Sequence, residues 1–534
     1  MIRFLPVSLT TILVEVADLD ETLALFASLN ADPIDGIEEA VPAARTVMIR
    51  FRPAVVSAVQ LATAISKRDL SVKPEPSDKL VEIAVRYDGE DLADVARHTG
   101  FSVEDVIRRH TESEFTVAFC GFAPGFGYLA GGDPALHVPR RPSPRTRIPA
   151  GSVALAGPFS GVYPQASPGG WQIIGTTPEK MWDIDREPGA LFQPGYRVRF
   201  YDIAKRQPPV TIDTGKSIAA KDNRAFEAGP HFKVLAAPLP ATFQDLGRFG
   251  QTGQGVSASG ALDQTAFNSA NRITGNPLGT PCLELVLGGL SFESSARTVI
   301  GLAGAPCPVT ITAKGRSTVQ SPYEPISIEP GDVVTIGNPE RGMRSYLSVR
   351  GGFDVTPVLG SAATDTLAVV GPPLVTVGTV LGLKIGTENL ASVSISETPA
   401  FECPTVKDVV TLDVVLGPRT DWCTQQGLET LTNQVWQVTP HSNRIGIRLA
   451  GEIPVERVST AELPSEGTAT GALQIPPNGQ PVLFLADHPL TGGYPVIGAV
   501  AEYHLDLAGQ LPINAKIRFR PIAPFAEIGP DKNA

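Results

Sequence analysis

Gly195-Tyr-Arg-Val-Arg-Phe-Tyr201 alternates in the manner of an edge or barrel strand, and Lys516-Ile-Arg-Phe-Arg520, near the end of the chain, echoes it. Between Phe115 and the first of these runs the texture is one of short strands and Gly/Pro turns. Lys79-Leu-Val-Glu-Ile-Ala-Val-Arg-Tyr87 puts Val81, Ile83, Val85 and Tyr87 on one face, which is the period of a strand. These runs predict a mainly β fold class with α+β content, organised in two halves that each close on a similar strand.

Outward from there, the first ninety residues read as α+β. Thr11-Ile-Leu-Val-Glu-Val16 is strand-like, and Asp20 to Leu29 carries the helical stripe Leu23, Leu25, Phe26 and Leu29. The Pro-containing piece Lys73-Pro-Glu-Pro-Ser77 reads as a loop. Two short helices are predicted next: Asp91 to His98, stopped by Gly100, and one opening at Ser102 with Asp105 in a capping-box position. The second half begins at Phe232-Lys-Val-Leu. Its clearest helix, Asp263 to Thr274, has the stripe Ala266, Phe267, Ala270 and Ile273, and Gly275 as its stop. Many short strands follow, with a further helix expected over Asp421 to Leu431. Gly161-Val-Tyr-Pro164 and Gly493-Tyr-Pro495 form a faint internal echo that fits repeated β-barrel units.

Residues 208–230 lose periodicity behind Pro208-Pro209 and read as an interdomain linker. Within them Thr214-Gly-Lys-Ser217 resembles the end of a Walker A loop, but Val210 stands where that loop needs glycine. A P-loop is therefore not predicted.

Composition narrows the function classes. A chain of 534 residues accommodates three or four domains. Its net charge of −11 argues against a general nucleic-acid binder. Cys120, Cys282, Cys307, Cys403 and Cys423 are scattered without a C-x-x-C, so they read as reduced thiols, with no metal site. Neither a signal peptide nor a membrane span is read, so a cytoplasmic setting is expected.

In this acidic chain, His137-Val-Pro-Arg-Arg141-Pro-Ser-Pro-Arg145-Thr-Arg147 gathers four arginines and a histidine without a carboxylate. Guanidinium groups suit carboxylate, carbonate and phosphate, so the segment is a candidate anion site. The competing reading is a solvated loop, or arginines paired with acids elsewhere in the fold. Phe119-Cys-Gly-Phe-Ala-Pro-Gly-Phe-Gly-Tyr128 and Pro149-Ala-Gly-Ser-Val-Ala-Leu-Ala-Gly157 flank it, with aromatics able to wall a pocket and glycines able to approach a ligand.

Phe119 to Leu129, the arginine segment and Ser167-Pro-Gly-Gly-Trp171 resemble allophanate hydrolase subunit 1, also called Kip-type inhibitor or the B subunit of 5-oxoprolinase. Thr242-Phe-Gln-Asp-Leu-Gly-Arg-Phe-Gly250, Ser259-Gly-Ala-Leu-Asp263, Asn271-Arg272 and Leu283-Glu-Leu-Val-Leu-Gly-Gly289 resemble allophanate hydrolase subunit 2, or the C subunit of 5-oxoprolinase. So do Ser442-Asn-Arg444, Gly471-Ala-Leu-Gln-Ile-Pro476 and Thr491-Gly-Gly-Tyr-Pro495. The chain is thus similar to a fusion of the 5-oxoprolinase B and C subunits, and also to the carboxyltransferase domain of urea carboxylase.

The resemblance implies cyclophilin-like β-barrels: an α+β domain over residues 1–88, one barrel over 89–207, and two over 231–534. It implies ATP-dependent opening of 5-oxoproline to glutamate, with ATP and Mg2+ and a separate protein like the 5-oxoprolinase A subunit. The alternatives are carboxyl transfer to urea or a related amide, with biotin on a separate protein, and restraint of a sensor kinase. A homo-oligomer is compatible with all three. No Ser-Ser-Lys amidase core, ATP-grasp domain or Met-Lys-Met biotin motif is seen; Lys180 lies between Glu179 and Met181.

Both enzymatic readings need an activated anion aligned with a poor nucleophile. The candidate catalytic residues are Arg140, Arg141, Arg145, Arg444 and Asp487. The candidate substrate or anion ligands are His137, Arg147, Tyr163, Trp171, Arg248, Asp263, Arg272, Glu284 and Tyr494. His488 is a candidate base beside Asp487, Asp263 doubles as a helix N-cap, and Glu284 is a pocket acid or a buried arginine partner.

Overall fold

A computed structural model describes the chain except residues 1, 73–76, 142, 144, 207–228, 385–389, 460, 462 and 532–534. The loop at 73–76, almost all of the expected linker and the Thr214–Ser217 motif lie outside the described residues.

The N-terminal unit is an antiparallel sheet in the order Arg3–Pro6, Thr11–Glu15, Thr46–Phe51, Ile37–Pro42. Helices Leu19–Ala31 and Ala58–Ser66 bury Leu25, Leu29, Leu61 and Ile65 against Phe4, Val14 and Ile49. Asp18 opens the first helix by accepting from Glu21 N, and Ser57 and Gln60 form a capping box at the second.

Leu80–Val85 does not belong to this unit, which corrects the boundary expected after residue 88. It runs parallel to Arg197–Asp202 in a seven-stranded sheet. The sheet continues through Glu114–Cys120, Gly127–Ala130, Phe159–Val162 and Ser152–Ala156 to Gln172–Thr176. A bridge between Arg86 and Thr176 brings its two edges together, so the sheet is a nearly closed barrel. Helices Leu92–Thr99 and Val103–Glu112 pack on it, the first ending at Gly100 in the left-handed conformation and the second capped by Ser102.

The last part of the chain forms a closed barrel with the same strand order. It runs Val409–Leu416, Val496–Val500, Ala472–Gln474, Val482–Phe484, Gly446–Ala450, Trp436–Val438, Lys516–Pro521. Here too the first and last strands are parallel neighbours. Each barrel also carries a two-stranded ribbon: Arg145–Ile148 with Ser167–Gly169, and Glu466–Gly467 with Thr491–Gly492. The internal repeat is therefore real, but its register differs from the echo in the sequence. Gly492-Gly493-Tyr494, which leads into Val496–Val500, occupies the place of Gly169-Gly170-Trp171, which leads into Gln172–Thr176. Gly161–Pro164 sits elsewhere in the barrel.

Along the chain, between the two barrels, come a six-stranded and a five-stranded sheet. Phe232, Phe292 and Val334 from one share a core with Leu283, Leu302 and Leu347 from the other. Helix Gln264–Thr274 packs beside them, capped by Asp263 and stopped by Gly275 as expected. All five cysteines are buried and free.

The two halves interlock. Ala44 N donates to Ser465 O (3.0 Å), Gly125 N to Gln254 O (2.9 Å) and Gln165 Nε2 to Leu367 O (3.1 Å). Buried Arg419 donates to Glu466 in its own half and to Glu15 of the N-terminal sheet at 3.1 Å.

Candidate functional site

The repeated segments of the two barrels meet around an inner cavity of about 240 Å³. The first half supplies Phe122, Phe126, Tyr128, Arg140, Tyr163 and Gly169-Gly170-Trp171; the second supplies Ser465, Gln474 and Thr491-Gly492-Gly493-Tyr494. Phe126 holds Trp171 and Tyr163 edge-to-face, each with ring centroids 5.3 Å apart, and Tyr128 meets Trp171 at 5.5 Å. Burial raises the Tyr163 phenol above its usual value and Tyr128 adds to this, with Arg140 opposing, so Tyr163 is a neutral hydroxyl.

Two glycines are needed for this closeness. A Cβ at Gly169 would lie 2.3 Å from Tyr163 Oη, and one at Gly493 would lie 2.9 Å from Arg140 Nη1. Thr491 is almost fully buried, yet its Oγ1 finds no hydrogen-bond partner among the described residues. A buried hydroxyl in that state is costly; it packs against Gly121, where an added Cβ would lie 2.4 Å from it.

A wider outer chamber of about 870 Å³ adjoins the first. Arg140, Ser465 and Tyr494 line both. Arg45 adds positive charge to the outer chamber and Arg141 reaches it from an ion pair with Asp91, with Asp18 as the carboxylate among its described lining residues. The arrangement is an aromatic inner cell for a small planar group, opening past one arginine into a cationic vestibule.

Of the expected site residues, Arg140, Tyr163, Trp171 and Tyr494 line the inner cavity. Arg141 reaches the outer chamber, but its guanidinium pairs with Asp91. Arg145 donates to both Asp91 oxygens at 2.8 Å and to Glu90 at 3.0 Å. Asp91 also accepts from Ile173 N at 2.7 Å, and although burial opposes it, the Arg145 hydrogen bond keeps the carboxyl below its usual range. Arg145 is thus a structural residue, and the segment is not unneutralised, because its acid comes from the start of a helix some fifty residues upstream. His137 is exposed, and so is Arg147; neither lines either chamber.

Four of the second-half candidates, Arg444, Asp487, Glu284 and Asp263, form a different, buried cluster that lines neither chamber. Arg444 Nη1 donates to Glu284 Oε1 (2.6 Å), its Nε and Nη2 to Asp487 (3.1 and 3.0 Å), and Nη2 also to Gly260 O (2.7 Å). Ser259 Oγ and Thr366 complete the donors to Asp487. Tyr346 Oη donates to Glu284 Oε2 (2.8 Å) and accepts from Asp263 N (2.8 Å). Arg444, Asp487, Glu284 and Asp263 are corrected to structural residues, since each is engaged by partners inside the fold. Arg272 is a surface ion pair with Glu397 at 2.7 Å, and Arg248 is buried and donates to Ala363 O. His488 is buried with its Nδ1 on Pro489 O at 2.9 Å, and burial lowers its pKa; it lines neither chamber.

Arg45, Ser465, Gln474 and Thr491 were not singled out from the sequence. Thr491 stood inside a quoted motif. Arg45 carries no local signal, because it reaches the site through the docking of the N-terminal sheet onto both barrels, Ala44 packing with Phe119 of the first and donating to Ser465 O of the second half. Among the described residues no cluster of three or more His, Cys, Asp or Glu could hold a metal ion, and no helix is long and apolar enough to cross a membrane.

Comparison with known proteins gives this architecture a class. Residues 2–192 match the model of the carboxyltransferase domain, subdomain C and D, and residues 254–521 that of subdomain A and B. The chain belongs to this carboxyltransferase-domain family. Within it, the chain is similar to the C subunit of 5-oxoprolinase from Escherichia coli (32% identical over 290 residues, 54% of this chain and 90% of that one). Its first part is similar to the B subunit of 5-oxoprolinase from Bacillus subtilis (36% over 199 residues, 34% of this chain and 82% of that one). It thus joins B-like and C-like halves in one chain. Urea amidolyase of Saccharomyces cerevisiae is 31% identical over 293 residues, which cover only 16% of that protein. The crystal structure of TTHA0988 superposes with a TM-score of 0.79 at 32% identity, covering 96% of this chain and 99% of that one.

Proposed function

We propose that this chain is the amide-activating component of an ATP-dependent 5-oxoprolinase, working with a partner like the A subunit of that enzyme. The observation that carries the reading is the two-chamber site at the junction of the B-like and C-like halves, with Arg140 between an aromatic cell and a cationic vestibule. An unstrained lactam resists hydrolysis, and phosphorylating its oxygen makes the carbonyl carbon a far better electrophile. That step demands alignment and neutralisation of phosphoryl charge rather than a protein nucleophile. The lining fits this demand: aromatic faces to hold the ring, hydroxyls of Ser465 and the tyrosines to orient it, and Arg140 beside the reacting oxygen. The inner cell is below the roughly 300–1,000 Å³ of drug-sized pockets, which suits a small amide. Mg2+ would enter on the nucleotide's phosphates.

The test is reconstitution with the partner. ADP and glutamate should appear only when ATP and 5-oxoproline are both present. A second reading, carboxyl transfer to urea or a related amide from biotin on another protein, is supported by the likeness to urea amidolyase. Biotin-dependent carboxylation of urea without oxoproline-stimulated ADP release would favour it and sink the first.

A further inference from the structure

We infer that the outer chamber receives the polyphosphate of a nucleoside triphosphate, and that Arg45 of the N-terminal unit is one of its ligands. This rests on the reading of the inner cavity as the amide site. The chamber is much larger than the inner cell, at about 870 against 240 Å³. Its described lining includes the arginines Arg45 and Arg140, with Arg141 beside them in its ion pair with Asp91. The carboxylate among those residues, Asp18, is occupied as the cap of helix Leu19–Ala31, where Oδ1 accepts from Glu21 N at 3.0 Å. Much of the remaining wall is apolar, including Pro139, Pro158, Phe159, Leu463 and Pro477, a surface against which a flat base can rest.

The positions of the cations set the direction of the ligand. Arg141 is anchored by Asp91 and Arg140 sits at the junction with the inner cell, while Arg45 lies in the turn between Ile37–Pro42 and Thr46–Phe51. A triphosphate laid along this line would bring its terminal phosphoryl to Arg140. The lactam oxygen attacks that phosphorus, the bond to the bridging oxygen of the leaving diphosphate breaks with its electron pair, and the lactam N–H proton is released to water. Arg45 stays with the departing diphosphate, which is where negative charge accumulates, while Arg141 remains paired with Asp91. The architecture gives a reason for the N-terminal unit to be docked onto the second barrel through Arg419, Glu15 and Glu466: this docking presents the Arg45 turn to the chamber.

The test is calorimetric titration of the full chain with MgATP and, separately, with 5-oxoproline. Arg45→Gln removes the charge at an exposed turn, and Ala461→Trp fills the chamber from an exposed loop position, so neither change threatens the core. Both should weaken MgATP binding about tenfold or more, the scale of one charged hydrogen bond, while 5-oxoproline affinity stays within about twofold of wild type. Wild-type MgATP affinity in both variants overturns the proposal. The underlying reading fails in a distinguishable way, through the absence of oxoproline-stimulated ADP release from the wild-type chain with its partner.

Discussion

Ser465 Oγ donates a hydrogen bond to Tyr128 Oη at 3.1 Å, across 337 residues of sequence. The bond ties the second barrel, beside its ribbon, to a strand of the first at the wall of the inner cavity. The site is therefore a property of the assembled chain, with neither half containing it.

Trp171→Ala opens the aromatic wall on which Phe126 and Tyr128 pack. The KM for the amide should rise at least about tenfold, since truncating a buried tryptophan removes roughly 3–5 kcal/mol of packing, shared between fold and ligand. Steady-state kinetics alongside a melting curve separates the two. An unchanged KM would remove Trp171 from the site.

Thr491→Val keeps the shape and deletes the buried hydroxyl that finds no partner among the described residues. Because that hydroxyl is unsatisfied, the variant should be as stable as wild type or more so. A melting temperature clearly below that of wild type would contradict this.

Arg140 and Arg145 should separate by phenotype although they are close neighbours in sequence. Arg140→Ala should cost turnover by more than about tenfold with little loss of stability, being at the junction of the chambers. Arg145→Ala breaks the Asp91 pair and should lower stability, as read by denaturant midpoint, with activity reduced only through misplacement of the ribbon. Arg444→Met should be the most destabilising of the three, by about 3–5 kcal/mol, because it strands Glu284 and Asp487 in the core.

Asp263 gives a pH signature. Burial, aided by Asp506, pushes its carboxyl up to about 7 in the folded chain. A raised carboxyl binds its proton more tightly in the folded state, so its stabilising contribution is full below the ordinary aspartate range. It is lost as pH climbs towards 7. Asp263→Asn retains a capping oxygen and should flatten the fall in stability between about pH 4 and 7. An identical pH–stability profile in the variant would contradict this.

The sequence made the strand-rich halves legible through Gly195–Tyr201 and Lys516–Arg520, because period-2 alternation survives without knowledge of neighbours. The helix Asp263–Thr274 was legible because its cap and its glycine stop are local. Lys79–Tyr87 was recognisable as a strand, but not its membership of the first barrel, since a parallel pairing with Arg197–Asp202 leaves no local mark. The aromatic and glycine motifs located the cavity, and Tyr163, Trp171, Tyr494 and Arg140 line it. Several charged candidates lie away from the cavity or are engaged elsewhere because of pairings across the fold. Asp91 neutralises Arg141 and Arg145 from far upstream, and Glu284, Arg444 and Asp487 saturate one another, and pairings of that kind cannot be read along a chain. Ser465 and Arg45 gave no signal because only tertiary docking makes them neighbours of the site.

The most direct measurement is a crystal structure of this chain with 5-oxoproline. Electron density for the lactam is expected in the inner cavity, bounded by Trp171 and Tyr494. The amide oxygen of the ligand should be turned towards Arg140. An empty inner cavity with the ligand bound elsewhere on the chain would contradict the assignment of this cavity as the amide site.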